Sequence, residues 1–149
     1  MNKATNLDET NHGFPPNKYN PHAWLRGNPE IGEGTWIGPF TIIDAQYAKL
    51  TIGKGCNVAA GAKIMSHSTV RRCISEGEIN VVDKADTQIG DYCFIGTNAV
   101  VLMGAEIGDH SIIGAGCVVT EYMKIPPYSL VVGIPAKIVG SSKQALKEK

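Results

Sequence analysis

The 149-residue chain lacks several features that mark common functional classes. Its 14 Lys and Arg residues balance 14 Asp and Glu residues, so neither nucleic acid nor an anionic membrane is expected as its main partner. No apolar run approaches the length of a membrane span, and the start of the chain lacks the apolar stretch of a signal peptide. These absences predict one soluble domain, without membrane insertion, in the cytoplasm.

Cysteine is scarce, and the chain has no CxxC spacing, which argues against zinc-ribbon and thioredoxin-like sites. Cys56, Cys93 and Cys117 hold equivalent positions of the repeat described below, so we expect them to be buried as small apolar side chains. Cys73 falls outside the repeat and is predicted to be a free thiol on a loop. A GxxxxGK[ST] phosphate loop is also absent, and no metal site is predicted.

Ile and Val residues recur every six positions along most of the chain. The series runs through Ile31, Ile37 and Ile43, then Ile52, Val58 and Ile64, then Ile89, Ile95, Val101, Ile107, Ile113, Val119, Ile125 and Val131. Neither a helix nor a half-buried strand has this period. Hexapeptide repeats are typical of a parallel β-helix, whose triangular coils stack on one another. We therefore predict an all-β fold, with a β-helix over 31–140, an N-terminal cap over 1–30 and a C-terminal tail over 141–149.

Each hexapeptide has further regular positions. The second residue is often glycine, which we attribute to the backbone angles of a corner, and the fifth is small because it points into the corner. The second positions are Gly32, Gly38, Gly53, Gly90, Gly96, Gly108 and Gly114. Tyr47 and Met123 break the small-residue rule, and both lie beside an interruption of the repeat.

The repeat also predicts which residues become neighbours in successive coils, about 4.8 Å apart. One column is predicted to contain Trp36, Asn57, Phe94 and Ile112, and another to place Thr97 beside Ala115. Asp44 is predicted to stack on Met65. This register brings the Asp44 carboxylate close to His67, two residues beyond Met65.

The repeat stops after Ile64, and a polar stretch of about twenty residues intervenes before it resumes at Ile89. We predict a protruding loop over about 68–88, which carries Arg71, Arg72 and Glu76 over His67. Histidine at such a break is suited to general-base chemistry because it titrates near working pH. The alternative is that His67 is a solvated residue at the base of a flexible loop.

Four segments of the second half resemble the hexapeptide-repeat acyltransferases. They are IGDYCFIGT at 89–97, IGDHSIIGAGCVVT at 107–120, IPPYS at 125–129 and GIPAK at 133–137. The resemblance spans about 28–140 and is strongest to the sugar acetyltransferase branch, which includes maltose, galactoside and surface-glycan acetyltransferases. It implies a left-handed β-helix, a homotrimer, and acetyl-CoA as the acyl donor, bound between subunits.

The resemblance and the predicted stacking together suggest roles for individual residues. His67 matches the catalytic histidine, and we expect Asp44, or alternatively Glu76, to orient it. Backbone groups of Gly96 or Thr97 are expected to hold the oxyanion. The expected acetyl-CoA contacts are Gly96, Thr97 and Ala115 along the pantetheine arm, and Thr120, Pro135 and Lys137 near the nucleotide. The expected acceptor contacts are Trp36, Phe94, Arg71 and Arg72, with burial as the alternative for the aromatic rings.

Two departures from the family pattern concern substrate contacts. Ile37 stands where galactoside-type relatives carry an acceptor-binding asparagine, so the acceptor pocket must differ. Glu121 stands where they carry a lysine that helps to bind phosphate. The lysines that are candidates to replace it are Lys124, Lys137, Lys143 and Lys147.

These features predict an acetyl-CoA-dependent transferase that acetylates a hydroxyl or an amine of a sugar or sugar nucleotide through a ternary complex. A xenobiotic acceptor is an alternative on the same scaffold. A non-catalytic assembly module is another, because a fold does not fix a function. A γ-carbonic-anhydrase-like zinc enzyme would need three histidines, but only His67 and His110 lie in the coils.

Overall fold

The computed structural model describes residues 14–147, which form short strands and very little helix. One α-helix, α1, spans Val70–Ile74, and a 3-10 helix spans Ser142–Leu146. The strands are β1 Trp24–Gly27, β2 Glu30–Ile31, β3 Trp36–Ile37, β4 Ile42–Ala45, β5 Leu50–Ile52, β6 Asn57–Val58, β7 Lys63–Met65, β8 His67–Ser68, β9 Asp83–Lys84, β10 Thr87–Ile89, β11 Phe94–Ile95, β12 Val100–Val101, β13 Glu106–Ile107, β14 Ile112–Ile113, β15 Val118–Val119, β16 Lys124–Ile125, β17 Ser129–Val132 and β18 Lys137–Ser141.

Successive strands enter three parallel sheets in turn. Sheet 1 has the order β1-β4-β7-β12-β15, sheet 2 has β2-β5-β10-β13-β16, and sheet 3 has β3-β6-β11-β14-β17. Each coil therefore contributes one strand to each sheet, which confirms the predicted parallel β-helix; its handedness stays a prediction of the resemblance. The first coil includes β1, so pairing begins at Trp24, inside the segment that the sequence assigned to the cap.

The sixth-position Ile and Val side chains fill the interior. Ile95, for example, is fully buried and pairs with Val58 in the coil before it and Ile113 in the coil after it. Burial of one such side chain contributes about 1.5–3 kcal/mol. No helix among residues 14–147 is long and apolar enough to cross a membrane.

The cysteines lie where the repeat predicted. Cys56, Cys93 and Cys117 are buried and Cys73 is exposed, and all four are free. Cys56 and Cys93 are also in contact, because the Cys93 backbone N–H donates to Cys56 Sγ at 3.4 Å. Hydrogen bonds from the Cys93 thiol and backbone lower the pKa of Cys56 to about 7. The same thiol pair, together with burial, raises the pKa of Cys93.

The expected reason for the second-position glycines is wrong. None of them has a positive φ; a Cβ atom at Gly96, for instance, would lie 2.5 Å from the backbone nitrogen of Ala115 in the next coil. These glycines are required by close coil stacking. Positive φ instead occurs at the fourth residue of the hexapeptides, namely Gly34, Phe40, Gly55, Gly61, Tyr92, Asn98, Gly104, His110, Gly116, Tyr122 and Tyr128.

Residues 137–142 pack along the last coil. Strand β18 pairs with β17 in the antiparallel direction. The Ser142 hydroxyl then donates to the His110 carbonyl at 2.5 Å, where the His110 ring stacks between Tyr92 and Tyr128. The tail is thereby fixed on the outside of the coils.

The loop interrupts the repeat between β7 and β10, as predicted. At its base, β8 pairs with β9 in the antiparallel direction. Arg71 Nε donates to Asp83 Oδ2 at 2.9 Å, and the guanidinium lowers the pKa of the Asp83 carboxyl. Helix α1 has no buried residue. The loop is thus held mainly by its base and by one ion pair.

Candidate active site

The predicted site residues lie at different places around the triangular coil. The first corner, which follows the strands of sheet 1, carries His67, Asp44 and Thr120. The third corner, which follows the strands of sheet 3, carries Gly96, Thr97 and Ala115. One chain therefore does not bring these two groups together.

Asp44 lies beside His67, as the register predicted. Asp44 pairs with Met65, and His67 Nδ1 is 3.9 Å from Asp44 Oδ2. This distance is too long for a hydrogen bond. Nevertheless, Asp44 is 1% exposed, and His67 Nδ1 is buried without a hydrogen-bond partner among residues 14–147. Such an orphaned polar atom is uncommon in a folded protein and calls for an explanation.

Asp44 is already bonded to other groups. Arg26 Nη1 donates to Asp44 Oδ2 at 2.8 Å, and the Gln46 backbone N–H donates to Asp44 Oδ1 at 3.1 Å. The Gln46 side-chain oxygen accepts from the other end of the same guanidinium. Arg26 also lies 5.4 Å from the centre of the Trp24 ring, within range of a cation–π contact. Sequence reasoning missed Arg26 because it lay in the presumed cap; the signal was its pairing register with Asp44.

The Tyr47 ring lies against His67. The two ring centroids are 4.6 Å apart at an angle of 48°. This contact explains why a large residue interrupts the small-residue rule here: Tyr47 is 41% exposed and packs on the imidazole rather than into the coil. Glu76, the alternative partner, lies in the exposed turn after α1. Among residues 14–147, no hydrogen bond or ion pair joins Glu76 to His67.

A cavity of about 410 Å³ lies beside Ser68, the residue that follows His67. Its lining includes Ser68, Arg71, Asp83 and Tyr122. Arg71, an expected acceptor contact, lines this cavity, although its guanidinium is paired with Asp83. Arg72 lines a different cavity, together with Thr69, Cys73 and Gly77.

The predicted aromatic column is present on sheet 3. Trp36 pairs with Asn57, Asn57 with Phe94, and Phe94 with Ile112. Trp36 is 51% exposed and Phe94 is 43% exposed. Both rings therefore lie on the outer surface of the chain, and the expected alternative of burial does not apply to them.

The expected acetyl-CoA contacts form two neighbourhoods. At the third corner, the Gly116 N–H donates to the Thr97 carbonyl at 2.9 Å, which confirms that Thr97 and Ala115 belong to stacked turns. The Gly96 N–H donates to the Ile113 carbonyl at 2.8 Å. This N–H is therefore not free to bind an oxyanion, contrary to the expectation for Gly96.

The second neighbourhood contains the residues expected near the nucleotide. The Val118 N–H donates to the Gly133 carbonyl at 3.0 Å and the Ala136 N–H donates to the Val118 carbonyl at 2.9 Å, so the turn that contains Pro135 lies against Val118 of β15, two residues before Thr120. Lys137 begins β18 and is exposed. Two of the other candidate lysines already have partners: Lys143 lies over the Tyr128 ring, and Lys124 pairs with Glu106.

Comparisons with known proteins agree with this architecture. The bacterial transferase hexapeptide model, which describes six repeats, matches residues 86–121. No curated protein matches the chain.

Solved structures give more extensive matches. A maltose O-acetyltransferase from Clostridium difficile 630 is 25% identical, with a TM-score of 0.63, over 80% of this chain and 66% of its own. A hexapeptide-repeat acetyltransferase from Vibrio cholerae O1 biovar eltor, complexed with acetyl-CoA, is 29% identical, with a TM-score of 0.64, over 83% of this chain and 61% of its own. An N-acyltransferase from Bacillus cereus shares the fold at 15% identity, with a TM-score of 0.70, over 84% of this chain and 69% of its own.

The chain thus spans less than two thirds of the length of the two acetyltransferases. Residues 86–121 thus match the hexapeptide repeat of bacterial transferases, and the chain is similar in fold and sequence to hexapeptide-repeat acetyltransferases.

Proposed function

We propose that the protein transfers the acetyl group of acetyl-CoA to a hydroxyl or amine of a sugar or sugar nucleotide, with His67 as general base, in the cytoplasm. The observation that carries this proposal is the setting of His67. Its Nδ1 atom is buried beside the Asp44 carboxylate, its side chain is still 16% exposed, and Ser68, the next residue, lines a cavity of about 410 Å³. The acetyl-CoA complex of the Vibrio cholerae protein supports the choice of donor.

In the proposed reaction, His67 Nε2 accepts the proton of the acceptor hydroxyl while the oxygen attacks the thioester carbonyl. The tetrahedral intermediate then collapses, the carbon–sulfur bond breaks, and the imidazolium returns the proton to the departing CoA thiolate. General acid–base help of this kind contributes about 10²–10⁴-fold to the rate. The Asp44 carboxylate stabilises the imidazolium from the Nδ1 side, and Tyr47 restricts the orientation of the ring.

We propose that the site is completed by a second copy of the chain in a homotrimer. The first corner of one copy would face the third corner of the next, so that His67 meets the acetyl-CoA held along Thr97 and Ala115. The outer face of sheet 1 supports this packing because Ile42, Val100 and Val118 are apolar and only half-buried there.

A mixing experiment tests this arrangement. His67→Ala and Ala115→Phe variants are each expected to be inactive, the first without its base and the second with its donor groove blocked. Co-refolding the two should restore part of the activity, because some interfaces would then join an intact His67 to an intact Ala115. A monomer in sedimentation, or mixed assemblies that stay inactive, would contradict the proposed site.

Sugar acceptors are supported by the aromatic column and by the maltose acetyltransferase match. Exposed rings such as Trp36 and Phe94 present apolar faces that suit a pyranose ring. The direct test is thiol release from acetyl-CoA with panels of sugars, amino sugars, sugar nucleotides and xenobiotic hydroxyl compounds. The product mass, together with fragmentation, then distinguishes an ester from an amide.

Thermal unfolding of the protein with and without acetyl-CoA provides a test of donor binding that needs no acceptor. A donor that binds the native state raises the melting temperature. No shift at millimolar acetyl-CoA, together with no thiol release, would favour the non-catalytic assembly module.

A further inference from the structure

We propose that Arg26 is a positioning residue of the His67 site, where it offsets the Asp44 charge and thereby leaves His67 free to act as a base. This inference rests on the proposed function. Its geometric basis is that one carboxylate oxygen, Asp44 Oδ2, faces two cationic or potentially cationic groups. The Arg26 guanidinium bonds it at 2.8 Å, whereas His67 Nδ1 stands off at 3.9 Å.

The burial of these groups makes the charge balance important. The Asp44 side chain is 2% exposed, so water does little to screen it from its neighbours. A buried carboxylate needs a compensating partner. Arg26 meets that need without a proton, since a guanidinium stays charged at all working pH values. If Arg26 were absent, a protonated His67 would be the remaining cation next to Asp44 Oδ2 within the described part of the chain.

The remaining groups around His67 do not replace Arg26. Tyr47 contributes an aromatic ring, and β9, which pairs with β8, contributes Asp83 and Lys84. The Asp83 carboxylate is bonded to Arg71. Among residues 14–147, the only ion pairs of Asp44 are those with Arg26 and His67.

The consequence for catalysis is a specific pH effect. In an Arg26→Met enzyme, Asp44 would hold a proton on His67, and the protonated ring cannot accept the proton of the acceptor. Turnover at neutral pH should then fall by about tenfold or more, since an unopposed charge at this range shifts a proton equilibrium by that factor. Turnover should recover as the pH rises towards 9, where the ring loses its proton.

The decisive experiment compares the rate profile from pH 6 to pH 9.5 for wild type, Arg26→Met, Arg26→Lys, Asp44→Asn and the double variant Arg26→Met/Asp44→Asn. Arg26→Lys keeps the charge and should restore the wild-type profile. The double variant has no carboxylate charge to hold the proton, so its profile should match that of Asp44→Asn alone. Lys49→Met, which removes an exposed cation 3.6 Å from Glu30, is the matched control and should leave the pH–rate profile unchanged.

Either of two results would overturn the proposal: an Arg26→Met profile that is unchanged, or one that is lowered equally at every pH. If Arg26→Met does not fold, the double variant still decides, because a profile different from that of Asp44→Asn would contradict the role assigned to the Asp44 charge. An NMR titration of the His67 ring in wild type and variants needs no acceptor. It therefore tests Arg26 even if the protein releases no thiol, a result that would reject the proposed function alone.

Discussion

Glycine is required in the coils for two different reasons, close stacking and positive φ, and alanine substitutions can distinguish the two. Gly53 has an ordinary φ, but a Cβ atom there would lie 2.6 Å from the Asp91 backbone nitrogen in the next coil. Gly116 has a φ of 68°, and a Cβ atom added there would meet nothing within 4 Å among the described residues. Alanine at Gly53 therefore meets a collision, whereas alanine at Gly116 meets only backbone strain.

The magnitudes follow from these distances. Carbon contacts are optimal near 3.5 Å, so Gly53→Ala must push the neighbouring coil away by roughly 0.9 Å. That movement would stretch the hydrogen bond from the Gly53 N–H to the Ile89 carbonyl, now 2.9 Å, beyond useful range. Overpacking and the lost bond together cost about 3 kcal/mol. Gly116→Ala costs about 1–2 kcal/mol, and Gly116→Asn less, because Asn98 adopts a φ of 57° at the equivalent position one coil earlier.

Thermal unfolding measures this ranking directly. For a chain of this size, 1 kcal/mol changes the melting temperature by about 2–4 °C. We expect a fall of roughly 6–12 °C for Gly53→Ala, a smaller fall for Gly116→Ala, and nearly wild-type behaviour for Gly116→Asn. A Gly116→Ala protein that melts as low as Gly53→Ala, or lower, would refute the idea that stacking distance requires the second-position glycines.

Two further predictions concern the thiol pair and the loop. The pKa of Cys56 is about 7 in the folded chain and near 9 when the chain is unfolded. Between these pH values the unfolded state therefore binds more protons than the folded state. The free energy of unfolding should consequently rise from pH 7 to pH 9. The raised pKa of Cys93 opposes part of this gain near pH 9, so denaturant titrations should show a net rise of about 1–2 kcal/mol that Cys56→Ala abolishes, and a flat wild-type profile would contradict it. Asp83→Asn removes the partner of Arg71 at the loop base, so trypsin should cut at Arg72 faster than in wild type; equal cutting rates would show that the ion pair does not hold the loop.

Much of the scaffold could be predicted because its determinants are local and periodic. Ile at positions such as Ile89 and Ile95 must face inward once the period is six, and the stacking of Trp36 on Asn57 follows from counting residues per coil. The same counting placed Asp44 next to Met65, and hence near His67. These inferences needed only the spacing of the repeats and the regular separation of strands.

The charge network around His67 could not be predicted in the same way. Arg26 precedes Asp44 by 18 residues, or one coil, but it lies in the segment that the sequence assigned to the cap, and the repeat does not show that its guanidinium bonds the carboxylate. The role of Tyr47 depends on a side-chain direction that the repeat does not specify. The second-position glycines were located correctly but explained wrongly, because sequence reveals a preference for glycine without showing whether φ or a neighbouring backbone causes it.

Proton transfer by His67 during acetyl transfer is central to the proposed function. Single-turnover thiol release by the His67→Ala variant, compared with wild type at equal acetyl-CoA occupancy, tests it most directly. We predict unchanged donor affinity and a rate at least about a hundredfold lower for a hydroxyl acceptor, the loss expected when general-base help is removed. A His67→Ala enzyme that turns over at the wild-type rate would contradict this role.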